Sequence, residues 1–341
     1  LVASARVGSQ IIFPKNKNLY YYDLNTKDKN VLAQINTNGK SVLLNQPKAL
    51  HYNHFNQGSH IVLLNFDFEG GSFIIFEFHK DLKQAKLIAE KRGDFILGAV
   101  FISKDRMCVL DASKELTVCG FDGGNLKKVP LQSLRKGAST SKPDSIFPGP
   151  LGKVLLQVDG EALVMYDVAA RKSVHELLVS DVKQVYWTHN FSHAAIVTKT
   201  QLLMVNKNLE VVNAQKENSR IKTGCFDESQ AFIYTTSTHI KYMFCEGKTT
   251  GTFKSLEEPL YLSFFMKNQA FAFNRAGEMV TVEVNNTDYL FKLALAQKNL
   301  PEVKDILSKG NIHGHSLISY LIEQGHSEIA LFCEADLKYP Q

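Results

Sequence analysis

The hydrophobic pattern of the chain changes once, within Val280–Leu295. At the start of this stretch three valines alternate with polar residues, which is the two-residue period of a half-buried strand. Toward its end apolar residues recur at a spacing of three and four, which is typical of an amphipathic helix. The sequence therefore predicts a β domain over residues 1–286 and the start of a helical domain over residues 287–341.

The β region repeats itself at a constant interval near its end. Segments that open similar units begin at Val182, Ile221 and Leu260, each 39 residues after the one before. Each unit continues with a strand of small and β-branched residues, a tight turn and a further strand. A meander of roughly 40 residues is the period of a propeller blade.

Upstream, the same unit can be followed with wider spacing, and the extra residues are placed in surface loops. Four further units are predicted, in Ile11–Tyr22, Ala49–Phe78, Leu97–Phe121 and Ser145–Tyr166. The last contains Asp159-Gly160, a pair that tolerates the positive φ angles of a type I′ hairpin turn. Because a closed ring leaves no long exposed sheet edge, the sequence predicts a mainly β fold, a seven-bladed, WD-repeat-like β-propeller.

The tail after residue 287 predicts short helical hairpins, as at the start of an α-solenoid. Asn299 with Glu302 forms a capping pair, and Pro301 fits the first turn of the same helix. Such hairpins cannot bury their outer faces alone, so their apolar stripes predict a partner or packing surface. The residues of that predicted surface are Val303, Ile306, Leu307, Leu317, Leu321 and Ile322.

A basic segment over residues 125–143 carries five cations and no acidic residue. This composition favours a solvated surface loop. The alternative is an electrostatic contact with an anionic membrane or an acidic partner. The residues of that alternative contact are Lys127, Lys128, Arg135 and Lys136.

The composition of the chain excludes or disfavours several classes of function. The net charge of +5 over 341 residues is small for a nucleic-acid binder, and five scattered cysteines favour a reducing compartment. The close histidine pairs have no cysteine or carboxylate set beside them at a familiar metal-ligand spacing. The sequence therefore predicts no enzyme, no catalytic, metal or cofactor-binding residue, no nucleic acid and no small-molecule substrate.

Four segments resemble one family: KQVYWTHNFSHAAIV from Lys183, IKTGCFDESQAFIYTTSTHIKY from Ile221, YLFKLALAQKNLPEVKDILSKG from Tyr289, and HSLISYLIEQGHSEIAL from His315. Together they are similar to the coatomer alpha subunit family, over its second propeller and its first solenoid helices. The first residues of the chain already lie within the repeating strand pattern, and we expect the chain to be a piece of such a subunit. The family's cargo-reading amino-terminal propeller is absent from this sequence, so no cargo-binding residue is carried over.

The resemblance implies a structural scaffold of the COPI coat in retrograde Golgi-to-ER and intra-Golgi protein transport. It implies assembly with other coatomer subunits, beta-prime among them through the solenoid. It also implies a cytoplasmic protein that associates peripherally with Golgi and coated-vesicle membranes. Two alternatives stay open: a propeller-solenoid scaffold of another assembly, of the nuclear pore or ciliary transport type, and a propeller hydrolase with titratable groups clustered at the channel mouth.

Overall fold

A computed structural model describes the chain over most of its length. The described residues are 4–7, 10–35, 47–56, 60–67, 70–79, 84–91, 96–121, 127–131, 134–135, 141–247, 249–309, 320–322 and 325–330.

The strands of these residues lie in six sheets. Sheet 1 contains β1 (Ala5–Val7), β2 (Gln10–Lys15), β3 (Asn18–Asp23), β4 (Lys29–Ile35), β5 (Pro47–Tyr52), β6 (His60–Asp67), β7 (Gly70–His79) and β8 (Gln84–Lys91). Sheet 2 contains β9 (Ile96–Phe101), β10 (Arg106–Asp111), β11 (Leu116–Gly120) and β12 (Lys127–Val129). Sheet 3 contains β13 (Pro143–Pro148), β14 (Lys153–Val158), β15 (Ala162–Asp167) and β16 (Lys172–Leu178).

Sheets 4 to 6 follow in the same way. Sheet 4 contains β17 (Gln184–Trp187), β18 (His193–Val197), β19 (Gln201–Asn206) and β20 (Val211–Lys216). Sheet 5 contains β21 (Gly224–Phe226), β22 (Phe232–Thr235), β23 (His239–Met243) and β24 (Thr250–Ser255). Sheet 6 contains β25 (Tyr261–Met266), β26 (Gln269–Phe273) and β27 (Met279–Glu283).

The predicted β-propeller is confirmed, but its predicted blade count is wrong: the described residues form six blades and not seven. The first two predicted units share sheet 1, because β4 and β8 pair in parallel through Ala33 and Gln84, Gln34 and Ala85, and Ile35 and Lys86. Ile11–Tyr22 does form the hairpin of β2 and β3, yet it belongs to this shared sheet and is not a blade of its own.

The later sheets repeat in detail as well as in period. In sheets 3, 4 and 5 the register between the third and fourth strands shifts at one position, at Met165/Tyr166, Met204/Val205 and Ile240/Lys241. The turn at Asp159-Gly160 has φ angles of 51° and 68°, and the Glu161 amide donates to the Val158 carbonyl. Both features confirm the predicted repeat and its type I′ hairpin.

The core is a series of apolar clusters, most of them between neighbouring sheets. Between sheets 3 and 4, for example, Leu155 and Met165 pack against Ile196 and Val205. The series closes where sheet 6 meets sheet 1: the Phe13 and Phe273 rings lie 4.7 Å apart, centroid to centroid. A ring of sheets with buried contacts on both sides is what a propeller requires.

The tail contains α1 (Thr287–Ala296) and α2 (Leu300–Ser308), and residues 320–322 and 327–330 are also helical. The predicted cap of α2 is confirmed, since the Glu302 amide donates to Asn299 Oδ1 and Pro301 lies in the first turn. At the start of α1 the side chain of Asn285 accepts a hydrogen bond from the Thr287 amide at 3.0 Å. In the described part of the chain, no helix has the length and apolar character needed to cross a bilayer.

Candidate functional site

The helical tail contacts the propeller at Tyr289, an aromatic residue of α1. Tyr289 is 3% exposed, and its ring lies 5.1 Å from Tyr242, 5.4 Å from Phe253 and 5.7 Å from Phe244, between centroids. These contacts place α1 against sheets 5 and 6, in a cluster that includes Phe265. The neighbouring Phe264 packs toward sheet 1 instead.

Two tyrosine–carboxylate hydrogen bonds fix the same junction. Tyr289 Oη donates to Asp227 Oδ2, and Tyr242 Oη donates to Asp288 Oδ2 at 2.5 Å. Lys292 Nζ lies 2.9 Å from Asp288 Oδ2. Burial raises the pKa of Tyr289, and the Asp227 carboxylate raises it further, so the phenol keeps the proton that it donates.

The predicted apolar stripe of the tail separates into buried and exposed parts. Val303, Ile306 and Leu321 are buried in one group with four other residues. The full group, called the tail cluster below, is Phe291, Ala294, Leu295, Val303, Ile306, Leu321 and Ala330. Leu307 is partly buried against it, while Ile322 is 59% exposed. Leu317 lies outside the described residues.

The predicted basic set is spread over two places. Lys127 and Lys128 lie in β12, so part of the expected loop is the outer strand of sheet 2. Lys128 Nζ is 2.6 Å from Glu115 Oε2, and Arg135 reaches Glu176 at 3.0 Å and Glu161 at 3.2 Å. Lys136 lies outside the described residues. Local carboxylates thus balance two of these cations, which favours the solvated interpretation for that pair.

An open cavity of about 400 Å³ lies beside Lys127 and Lys128, between sheets 2 and 3. It is called the basic cleft below. Sequence reasoning missed its other cations, Arg106 and Arg171, because they come from two different hairpins that only the fold brings together. The full lining is Ile102, Ser103, Asp105, Arg106, Val118, Lys127, Lys128, Val129, Leu151, Gly152, Val168, Ala169 and Arg171.

Histidines and aromatic rings meet at one end of the propeller axis. First strands line the axis of a propeller, so the turns after β5, β9 and β17 converge there. Asn53 is fully buried and donates to the carbonyls of Ser103 and Lys104. The group called the axial cluster below is His51, His54, Phe55, Trp187 and Phe191.

The histidines of the axial cluster are neutral at physiological pH. Burial, with repulsion from His54 as the second cause, lowers the pKa of His51 to about 4. Desolvation also lowers the pKa of His54, although part of its surface is exposed, and His189 is the second cause. The imidazole of His54 packs edge-on against the rings of Tyr52 and Phe191.

Two thiols of the described residues, those of Cys108 and Cys245, have raised pKa values. Burial and the neighbouring Cys119 raise the pKa of Cys108, and burial raises the pKa of Cys245 to about 12. Both therefore remain protonated, and the thiolate is the reactive form of cysteine. Among the described residues, no group of three or more histidine, cysteine or acidic side chains is arranged to hold a metal ion.

Comparison with known proteins points to one family. The family model described as COPA/B second beta-propeller matches residues 16–274. Coatomer subunit alpha-2 of Arabidopsis thaliana is 27% identical over 330 residues, which cover 96% of this chain and 26% of that protein. Coatomer subunit alpha-2 of Oryza sativa subsp. japonica is 30% identical over 334 residues, which cover 97% of this chain and 26% of that protein. The chain thus spans about a quarter of the length of these relatives.

Solved structures show the same fold at low identity. The Cps50 (Swd1) beta-propeller domain of Myceliophteria thermophila has a TM-score of 0.63 and 11% identity, and the match covers 83% of this chain and 95% of that domain. Sqt1 of Saccharomyces cerevisiae has a TM-score of 0.58 and 11% identity, with 82% of each chain covered. At this level of identity the likeness concerns the propeller architecture alone.

Proposed function

The chain belongs to the COPA/B second beta-propeller family, and on this basis we propose that it is a scaffold element of the COPI vesicle coat. The observation that carries the proposal is the match to coatomer alpha subunits along 96% to 97% of the chain, through the propeller and the helical tail alike. The proposed role is structural and not enzymatic. It serves retrograde Golgi-to-ER and intra-Golgi protein transport.

We propose a division at the end of the last sheet, with residues 1–286 as the propeller and 287–341 as the start of an α-solenoid. The last strand ends at Glu283 and the first helix begins at Thr287, which supports this boundary. The tail cluster is separate from the clusters between the sheets, which supports a helical unit with its own core. The scaffolds of nuclear pore and ciliary type share this architecture, but the family match favours the coat.

The proposed partners are other coatomer subunits, with beta-prime bound through the solenoid. Of the predicted surface, Val303, Ile306 and Leu321 are buried, so they shape the tail and leave its outside to make contacts. Ile322 is 59% exposed and Leu300 is 49% exposed, as expected for residues that a partner or a further helix covers. We therefore place the contact on this outer side of the tail.

The proposed localisation is cytoplasmic, with peripheral association to Golgi and vesicle membranes through the assembled coat. Direct attraction of the basic set to anionic lipid has limited support. Lys128 and Arg135 are within ion-pair distance of carboxylates of this chain, which offsets part of their charge.

A binding assay with a matched pair of variants tests the proposal. The parent chain and the variants Ile322→Glu and Leu178→Glu are compared for their capture of purified coatomer beta-prime. Leu178→Glu is the control, because it places the same charge on β16 of the propeller. Leu178 is 73% exposed, so neither substitution opens a buried core. We expect Ile322→Glu to weaken capture by roughly tenfold or more, since a charge at the centre of an apolar contact is desolvated without a partner. Equal capture by both variants would remove the tail from the interface.

A further inference from the structure

The basic cleft is a formed concave site. Its frame is backbone: the Gly152 amide donates to the Ile102 carbonyl at 2.8 Å, and the Val168 amide donates to the Gly152 carbonyl at 3.1 Å. These bonds tie the first turn of sheet 3 to the first turn of sheet 2 and to the third turn of its own sheet. The frame consists of hairpin ends held by hydrogen bonds. Binding of a ligand would therefore cost little conformational entropy in the backbone of the cleft.

The charged side chains that line the cleft are mostly positive. Its lining holds four cationic side chains and one acidic side chain, Asp105. Ser103 Oγ donates to Asp105 Oδ1 at 2.8 Å. Among the described residues, Lys128 has a carboxylate partner, while Arg106, Lys127 and Arg171 have none within ion-pair distance. Three cations around one cavity are therefore without an ion-pair partner among the described residues, and their fields add there.

The remainder of the lining is apolar. Ile102 and Val129 are 5% and 8% exposed and form a floor with Val118 and Val168. Leu151 stands at the edge with 66% of its surface exposed. An apolar floor inside a cationic rim is complementary to a ligand that carries both an aliphatic group and negative charges.

We propose that the basic cleft binds an acidic peptide segment of a partner protein, with an aliphatic side chain on the floor and flanking carboxylates at Arg106, Lys127 and Arg171. The buried apolar residues Ile102 and Val129 of the cleft favour a peptide over a membrane surface. A flat bilayer would reach the rim cations but leave the apolar floor unfilled, whereas an extended chain fills both. The proposal does not depend on the coat assignment, since it rests only on the cleft.

The probe for the test is a fluorescein-labelled peptide of repeated Glu-Glu-Leu, with a Gln-Gln-Leu peptide as the neutral control. Fluorescence anisotropy with the full chain should show saturable binding of the acidic peptide and little binding of the neutral one. Raising the salt toward 1 M should weaken binding, because the screening length falls to about 3 Å. Absence of saturable binding at up to about 1 mM protein would overturn the proposal.

Variants locate the binding on the molecule. The double variant Arg106→Gln/Arg171→Gln should weaken binding by roughly tenfold or more. The control Lys199→Gln/Lys207→Gln removes two exposed cations of sheet 4 and should leave binding unchanged. Leu151→Ser tests the apolar part, and since its side chain is largely exposed the fold should be preserved. Equal affinity in both double variants would contradict the site.

An experiment with vesicles tests whether the ligand of the basic cleft is an acidic peptide or a lipid surface. Liposomes with and without phosphatidylserine are floated with the parent chain and with Arg106→Gln/Arg171→Gln. The proposal expects flotation that is the same for both proteins. If the double variant lost flotation while the acidic peptide failed to bind the parent, the cleft would be a lipid site and the proposal would be wrong.

Discussion

At the scale of residues, the axial cluster shows how burial fixes a charge state. His51 lies near the end of β5, with His54 in the following turn and His189 across the axis. Burial lowers the pKa of His51 to about 4, below the ordinary value of 6.5. The folded chain therefore binds fewer protons here than the unfolded chain between those two values. Stability should then fall as the pH falls through this window.

The variant His51→Gln tests this dependence. We expect the parent to lose about 2 kcal/mol of unfolding free energy at this site on going from pH 7.5 to about pH 5, because one pKa unit corresponds to about 1.4 kcal/mol. His51→Gln should lose less, since glutamine does not titrate. Urea unfolding at the two pH values measures the difference.

The control for that experiment is His239→Gln, which leaves the axial cluster intact and should lose stability as the parent does. If His51→Gln were as sensitive to acid as the parent, the histidine would not be held neutral by the fold.

Residue-scale features were predictable from the sequence only where they are local. The cap at Asn299 and the turn at Asp159-Gly160 depend on residues within a few positions of each other. The bond from Tyr289 to Asp227 joins residues 62 positions apart, so no local pattern marks it. Arg106 and Arg171 meet at the basic cleft for the same tertiary reason.

At the scale of elements, the tail is held in two ways. Tyr289 and Asp288 fasten α1 to the propeller, whereas the tail cluster holds α1, α2 and the following helical residues to one another. Leu321 is fully buried in the tail cluster and lies far along the chain from α1. Its side chain is therefore a test of whether the tail opens separately from the propeller.

Replacing Leu321 by Ala should cost roughly 2 to 5 kcal/mol, because it removes buried methyl groups and leaves a cavity. We expect the loss to appear as faster hydrogen exchange in α1 and α2, with the strands still protected, since local units open independently. The control Ile322→Ala truncates a side chain that is 59% exposed and should change little. Deprotection spread evenly over the blades would mean that tail and propeller form one cooperative unit.

The number of blades is a feature of the fold that the sequence did not predict correctly. A two-residue period predicts a strand and its buried face, but it does not predict which strand will pair with it. The pairing of β4 with β8 is parallel and joins residues about 50 positions apart, so neither turn chemistry nor period indicates it. The repeat at 39 residues was visible because sheets 4, 5 and 6 keep regular hairpins.

At the scale of the whole molecule, the propeller is joined where its last sheet meets its first. Phe13 on β2 is fully buried against Phe273 on β26, and Ile11 and Phe271 pack beside them. Ser4 Oγ and Ser263 Oγ, 2.9 Å apart, add a hydrogen bond to the same junction. Because each sheet is stabilised by its two neighbours, a weak contact at this junction should lower the stability of all of them.

Phe13→Ala tests that expectation through a distant reporter. The only tryptophan of the chain, Trp187, lies in sheet 4, and its Nε1 donates to the Pro148 carbonyl of sheet 3 at 2.8 Å. We expect the substitution to cost about 3 to 5 kcal/mol and to shift the urea unfolding of Trp187 fluorescence by that amount, although the two residues are separated by other sheets. Leu321→Ala is the matched control, since its loss should be confined to the tail and leave the Trp187 transition in place. An unchanged transition in Phe13→Ala would mean that the sheets unfold one by one, as in an open array, and that the junction does not make the propeller cooperative.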